Sequence, residues 1–167
     1  MKIINIKNNE IYLREYCRLC SLTWGTKKSE QEMEKYINDK IIKINNNDKV
    51  ILILGLIDNK ELLGFISLFK YDGDERKDLS PWYATMYVKE QYRGLGYSKL
   101  LNNELLKEAK NMGFNIIYLK TDLINYYEKF GFKYIETLKN GEKLYYIEIG
   151  VELWNILWIY KMHHFLQ

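Results

Sequence analysis

A chain of 167 residues, 47% hydrophobic and 28% charged, has the length and apolar content to bury one sizeable core. Its net charge of +3 comes without a basic run, which excludes the electrostatic footprint expected of a nucleic-acid binder. No apolar run is long enough to cross a bilayer and no signal-peptide pattern precedes the first strand, so the expected setting is cytoplasmic, with no membrane partner.

Lys2 to Ile6 alternates as a first strand. From Glu10 to Trp24, the residues Ile11, Leu13, Tyr16, Cys17, Cys20 and Trp24 recur at helical intervals until Gly25 breaks the pattern. Cys17 and Cys20 form a Cys-x-x-Cys pair, but no second pair completes a zinc site, and the adjacent His163 and His164 lie at the far end. No metal is expected, and the two thiols read as half-buried helix residues. Ser29-Glu30-Gln31-Glu32 is a capping box that opens a second helix, with Met33, Tyr36, Ile37, Ile41 and Ile44 on its apolar face. Val50–Ile57 and Leu62–Tyr71 read as a strand pair around the turn Asp58 to Glu61, followed by an acidic loop from Asp72 to Ser80.

Trp82 to Val88 is the next strand, and Leu100, Leu101, Leu105, Leu106, Ala109 and Met112 mark an amphipathic helix over Tyr97–Met112. Beyond it come a short strand at Asn115–Leu119 and a brief helix from about Asn125 to Phe130, stopped by Gly131. Phe132–Leu138 and Lys143–Ile149 flank Asn140-Gly141, a hairpin signal. The expected order is β, α, α, β, β, β, α, β, α, β, β: one α+β domain over residues 1–149, with a mixed, mostly antiparallel sheet flanked by helices. Residues 150–167 read as an apolar tail, packed on the domain or at a dimer contact, so monomer and homodimer both stay open.

The chemistry centres on Gln91-Tyr92-Arg93-Gly94-Leu95-Gly96, a strand-to-helix turn with two glycines and an arginine. Glycine permits a positive φ and close approach, so such a turn can aim bare N–H groups from Arg93 to Ser98 at an anion. The start of the following helix adds its partial positive charge. The spacing is not a P-loop, because no Gly-Lys-Ser/Thr follows, and it lacks the third glycine of a dinucleotide fingerprint. A pyrophosphate cradle is the reading it supports.

Gln91, Gly94 and Gly96 resemble the Gln/Arg-x-x-Gly-x-Gly/Ala signature of the GCN5-related N-acetyltransferase (GNAT) family. Tyr127-Glu128-Lys129-Phe130-Gly131-Phe132 resembles a second family landmark, at the right distance downstream. The resemblance implies the GNAT-like acyl-CoA N-acyltransferase fold and transfer of acetyl from acetyl-CoA to a primary amine, without a metal. It places the coenzyme on Gln91, Arg93, Gly94, Leu95, Gly96, Tyr97 and Ser98, with the pantetheine arm along Met86, Tyr87 and Val88. Asn125 falls near an asparagine that many members carry, although the approach from Thr121 is compressed here. Tyr127 is the expected general acid, with Tyr126 as its neighbouring control. Trp82–Val88 holds no carboxylate to act as general base, so deprotonation is left to water or to Asp122, which could equally cap a helix. Trp24, Asp78 and Trp82, with Tyr12 and Glu136, are the candidates for an aromatic and acidic pocket suited to a cationic small molecule. Two other readings stay open: a protein N-terminus or lysine as the acceptor, and an acyl-CoA sensor without turnover.

Overall fold

In the computed structural model residues 1–73 and 75–150 are described; the tail expected over 150–167 therefore lies, from 151 on, outside the described residues. The elements in chain order are β1 (Lys2–Asn5), α1 (Glu10–Trp24), α2 (Glu30–Asn46), β2 (Val50–Asp58), β3 (Glu61–Phe69), β4 (Trp82–Val88), α3 (Tyr97–Asn111), β5 (Ile116–Thr121), β6 (Lys133–Thr137) and β7 (Lys143–Glu148). They build one sheet in the order β1-β2-β3-β4-β5-β7-β6. Every neighbouring pair is antiparallel except β4 and β5.

Period-2 geometry sorts the apolar residues of the central strands onto two faces. On one face Leu52, Leu54, Leu56, Ile66 and Leu68 pack with Leu101, Leu105 and Ala109 of α3. On the other, Ile53, Ile57 and Phe65 meet Leu13, Tyr16, Cys17 and Cys20 of α1 and Met33, Ile37 and Ile44 of α2. Covered on both sides, β2 and β3 read as continuous apolar runs rather than alternating ones. The capping box forms as expected: Ser29 Oγ accepts from the Glu32 amide at 3.3 Å, and the Ser29 amide donates to Glu32 Oε2 at 2.7 Å.

Two expectations change. Cys17 and Cys20 are fully rather than half buried. Burial pushes their thiols up to about 12 and about 11, so both are neutral and inert at physiological pH. The brief helix over 125–130 is only a single 3₁₀ turn, Glu128–Phe130. Asn125 holds φ +55°, a left-handed conformation that no helix continues through.

Candidate active site

β4 leaves the regular sheet twice. Against β3, Tyr87 pairs with Phe65 and Ala84 with Ser67, so one β3 residue, Ile66, faces two of β4, Thr85 and Met86. This is a β-bulge, and Thr85 holds φ +45°. Against β5 the pairing is a single residue, Trp82 with Tyr118, supported by the Tyr118 amide donating to Pro81 O at 3.0 Å. Beyond Trp82 the strands diverge, and β4 runs on to Val88 with its β5-facing edge unpaired.

Two cavities follow that opening. The first, about 460 Å³, is lined by Met86, Tyr87 and Val88, by Arg93, Gly94, Gly96, Tyr97 and Ser98 of the turn, and by Trp24, Tyr126 and Lys129. The second, about 750 Å³, continues past Tyr83, Thr85 and Met86 to Tyr127, Thr121 and Asp122, and ends among Asp72, Lys120 and Glu142. Trp24 and Met86 line both, so the two form one trough. Trp24, more than half exposed at the end of α1, meets Tyr87 edge-on at 6.3 Å.

The turn at the head of the trough has the features of an anion cradle. Gly94 and Gly96 both hold φ +80°, and a Cβ built on either would meet nothing within 4 Å, so both face open space. The first helical hydrogen bonds run from the Lys99 and Leu100 amides to Gly96 O. Among the described residues, the amides of Gly94, Leu95, Gly96, Tyr97 and Ser98 have no backbone acceptor, the last three because the start of an α-helix leaves them free. Arg93 Nε donates to Val88 O at 3.0 Å and its guanidinium lies 5.9 Å from the Tyr87 ring centre, which ties the turn to the strand. Lys89 anchors the strand's end: its ammonium reaches Glu15 at 2.7 Å and Glu61 at 3.0 Å, and Tyr92 donates to Glu61 at 2.8 Å. Gln91, Leu95 and Asn125 are exposed and line neither cavity.

Tyr127 is half-buried in the wall of the trough, its ring edge-on to Tyr83 at 5.7 Å and to Phe132 at 5.9 Å. Burial, and then the neighbouring Tyr126, push its hydroxyl up to about 12. Tyr126 belongs to the other cavity, with the Lys129 ammonium 3.7 Å from its ring centre. Adjacent tyrosines therefore serve different ends of the trough.

The expected acceptor residues separate. Trp82 is 1% exposed and its indole N–H donates to Leu79 O at 2.9 Å, which makes it core rather than pocket wall. Asp78 is bound to Arg76 at 2.8 Å, and Arg76 also pairs with Glu136, so the acidic loop and β6 neutralise one another away from the trough. Asp122 does line the trough, and the helix-cap alternative falls away because no helix starts there; Thr121 Oγ1 instead accepts from the Leu123 amide at 3.1 Å. Asp72 and Glu142 line it as well, two residues the sequence does not single out. Asp72 stood in the acidic loop but was indistinguishable from its neighbours, and Glu142 sat in the hairpin as a turn residue. Glu142 is shared with Lys120 at 3.3 Å. Among the described residues no group of acids, histidines or cysteines is arranged to hold a metal ion.

Similarity to known proteins points the same way as this geometry. No curated protein matches the sequence. Among solved structures, an aminoglycoside 6'-acetyltransferase type Ii is 24% identical, with a TM-score of 0.66 over 91% of this chain and 99% of its own. An aminoglycoside 6'-N-acetyltransferase complexed with coenzyme A is 21% identical, with a TM-score of 0.68 over the same shares, 91% and 99%. The PaiA N-acetyltransferase of Thermoplasma acidophilum, in complex with coenzyme A, is 22% identical, with a TM-score of 0.59 over 88% and 98%. At these identities the likeness speaks for the fold. The family profile described as the Acetyltransferase (GNAT) family matches residues 12–132, from α1 to the phenylalanine after the Tyr127 turn, and the chain belongs to that family of acyltransferases.

Proposed function

We propose that this protein is an acetyl-CoA-dependent N-acetyltransferase that acetylates a primary amine of a small molecule, with Tyr127 as general acid. The observation that carries the reading is the continuity of the trough, from the open N–H cradle, along the unpaired β4 edge, past Tyr127, to an acidic mouth. Coenzyme A is bound in solved relatives of this fold, and the cradle here fits a pyrophosphate: two left-handed glycines open to space, five amides without backbone acceptors, and a helix start behind them.

Bound acetyl-CoA supplies the activated acetyl thioester. Gly94 to Ser98 hold the coenzyme by its phosphates, and the unpaired edge at Met86–Val88 offers main-chain donors and acceptors to an extended arm. Such oriented N–H groups stabilise negative charge as it develops on a carbonyl oxygen, at no cost of reorganisation. Tyr127 keeps its proton through the neutral range, as a phenol's ordinary value of 10.0 ensures, and burial raises it further, to about 12. Its proton would go to the departing thiolate, and the phenolate left behind would regain one from solvent through the trough. Asp72, Asp122 and Glu142 outnumber Lys120 at the mouth and favour a cationic acceptor, and Asp122 can pass the amine's proton to water.

The test is thiol release from acetyl-CoA by the pure protein, against aminoglycosides, polyamines, amino acids and lysine peptides. Release with a small cationic amine supports the reading. Release only with peptides moves the acceptor to protein. Coenzyme binding with no release across the panel overturns the catalytic reading in favour of a sensor.

A further inference from the structure

Threonine is β-branched, and a β-branched residue at positive φ is a strained outlier that the surroundings must hold in place. At Thr85 three hydroxyls meet, its own and two from its surroundings. Tyr16 Oη, fully buried on α1, lies 3.1 Å from Ser67 Oγ, fully buried on β3, and 3.4 Å from Thr85 Oγ1. Ser67 Oγ and Thr85 Oγ1 are 2.5 Å apart, which closes the triangle. A buried hydroxyl deprived of a partner is costly, so the three stabilise one another and the geometry that joins them.

What they hold decides which way the rest of β4 faces. In a regular strand Tyr83 and Tyr87, four residues apart, share a face. Here Tyr83 packs with Tyr127 and Phe132 in the α3-side core, while Tyr87 stacks on Phe65 at 5.3 Å in the core beneath α1 and α2. The extra residue at the bulge turns Met86 and Val88 to the α3 side and Tyr87 to the other. Without it, the edge that lines the trough from Met86 to Val88 would present the opposite set of side chains.

We propose that Tyr16, Ser67 and Thr85 are positioning residues for acyl transfer: their hydroxyl triangle holds Thr85 left-handed and so fixes the edge at Met86–Val88 in its working orientation. The proposal rests on the transferase reading, and its test separates the two. Thr85→Val keeps the shape and removes the hydroxyl, Thr85→Ser restores the hydroxyl with less bulk, and Ser67→Ala removes the shared partner. For each variant, kcat for thiol release and Kd for coenzyme A are measured. The φ of residue 85 and the Tyr87–Phe65 ring contact are read by NMR without turnover.

Thr85→Val and Ser67→Ala are expected to lower kcat by about tenfold to 10²-fold, the cost of misplacing reacting groups by about an ångström. Kd for coenzyme A weakens by a smaller factor than kcat falls, because the arm loses part of the edge at Met86–Val88 while the cradle, set by its own glycines, keeps the phosphates. Thr85→Ser stays near wild type. Unchanged kcat in both Thr85→Val and Ser67→Ala, or a serine variant as impaired as valine, overturns the proposal. If the wild-type protein transfers nothing, the transferase reading fails and NMR alone decides: the triangle stands if Thr85→Val loses the Tyr87–Phe65 contact, and falls if the contact persists.

Discussion

Replacing Gly96 by aspartate places a fixed negative charge inside the turn that gathers five free amides. The backbone cost is modest. A left-handed residue with a side chain loses about 1–2 kcal/mol, at the low end for aspartate, and a carboxylate at a helix start regains about 0.3–1 kcal/mol. The side chain meets nothing, since no atom lies within 4 Å of its Cβ. The net loss of about 0.5 kcal/mol lowers Tm by about 1–2 °C in a chain of this size. Binding suffers far more. A carboxylate roughly 5 Å from a phosphate charge, at an effective dielectric near 20, costs about 3 kcal/mol, or about 10²-fold in Kd. That distance is inside the Debye length, so salt screens it only in part. Calorimetric titration with coenzyme A measures the change, and Gly96→Asn, of the same shape but neutral, supplies the control. Near-normal affinity in the aspartate variant, or an equal loss in the asparagine variant, would refute the electrostatic cradle.

Tyr127→Phe is expected to keep coenzyme binding while lowering kcat by at least about tenfold, the lower end of proton-transfer catalysis; the same loss in Tyr126→Phe would remove Tyr127 from the role. Tyr127 also carries a pH signature. Its folded value of about 12 stands above the ordinary 10.0, so the stabilisation is complete below pH 10 and is lost as pH rises towards 12, about 2–3 kcal/mol in all. Tyr16 and Tyr83, both raised chiefly by burial, steepen the same alkaline limb, and urea midpoints from pH 9 to 12 should show Tyr127→Phe losing less than wild type. At the mouth, Asp72→Asn is expected to raise KM for a cationic acceptor several-fold, whereas Asp78→Asn, tied to Arg76, leaves KM unchanged. Equal effects in the two variants would place the acceptor elsewhere.

The sequence is legible where the signal is local. The two glycines before a 3.6-residue repeat marked the left-handed turn into α3, Ser29 and Glu32 marked the start of α2, and Asn140-Gly141 marked the last hairpin, because each lies within a few residues of what it determines. Three features depend on distant partners and left no such trace. A threonine inside a strand looks ordinary until Tyr16 and Ser67 arrive from 69 and 18 residues away. Asp78 looked available although Arg76, two residues before it, binds it, and only the fold brings Glu136 from β6 to the same arginine; Trp82 looked like a pocket aromatic although its strand position faces a small core with Leu138 and Leu144. The segment before Glu128 kept helical composition, yet Asn125 at positive φ rules out a helix there. The expected apolar tail falls, from 151 on, outside the described residues.

The single paired residue between β4 and β5 also shapes how the molecule breathes. The sheet amounts to two stiff plates, β1–β4 under α1 and α2 and β5–β7 beyond, stitched at Trp82 and Tyr118 and spreading from there. A notch of this form is tightest at its apex and most compliant at its mouth. Amide exchange along β4 is therefore expected to quicken from Trp82 towards Val88. An extended occupant acts as a splint between the plates, flattening that gradient and raising the melting temperature in proportion to its own binding free energy.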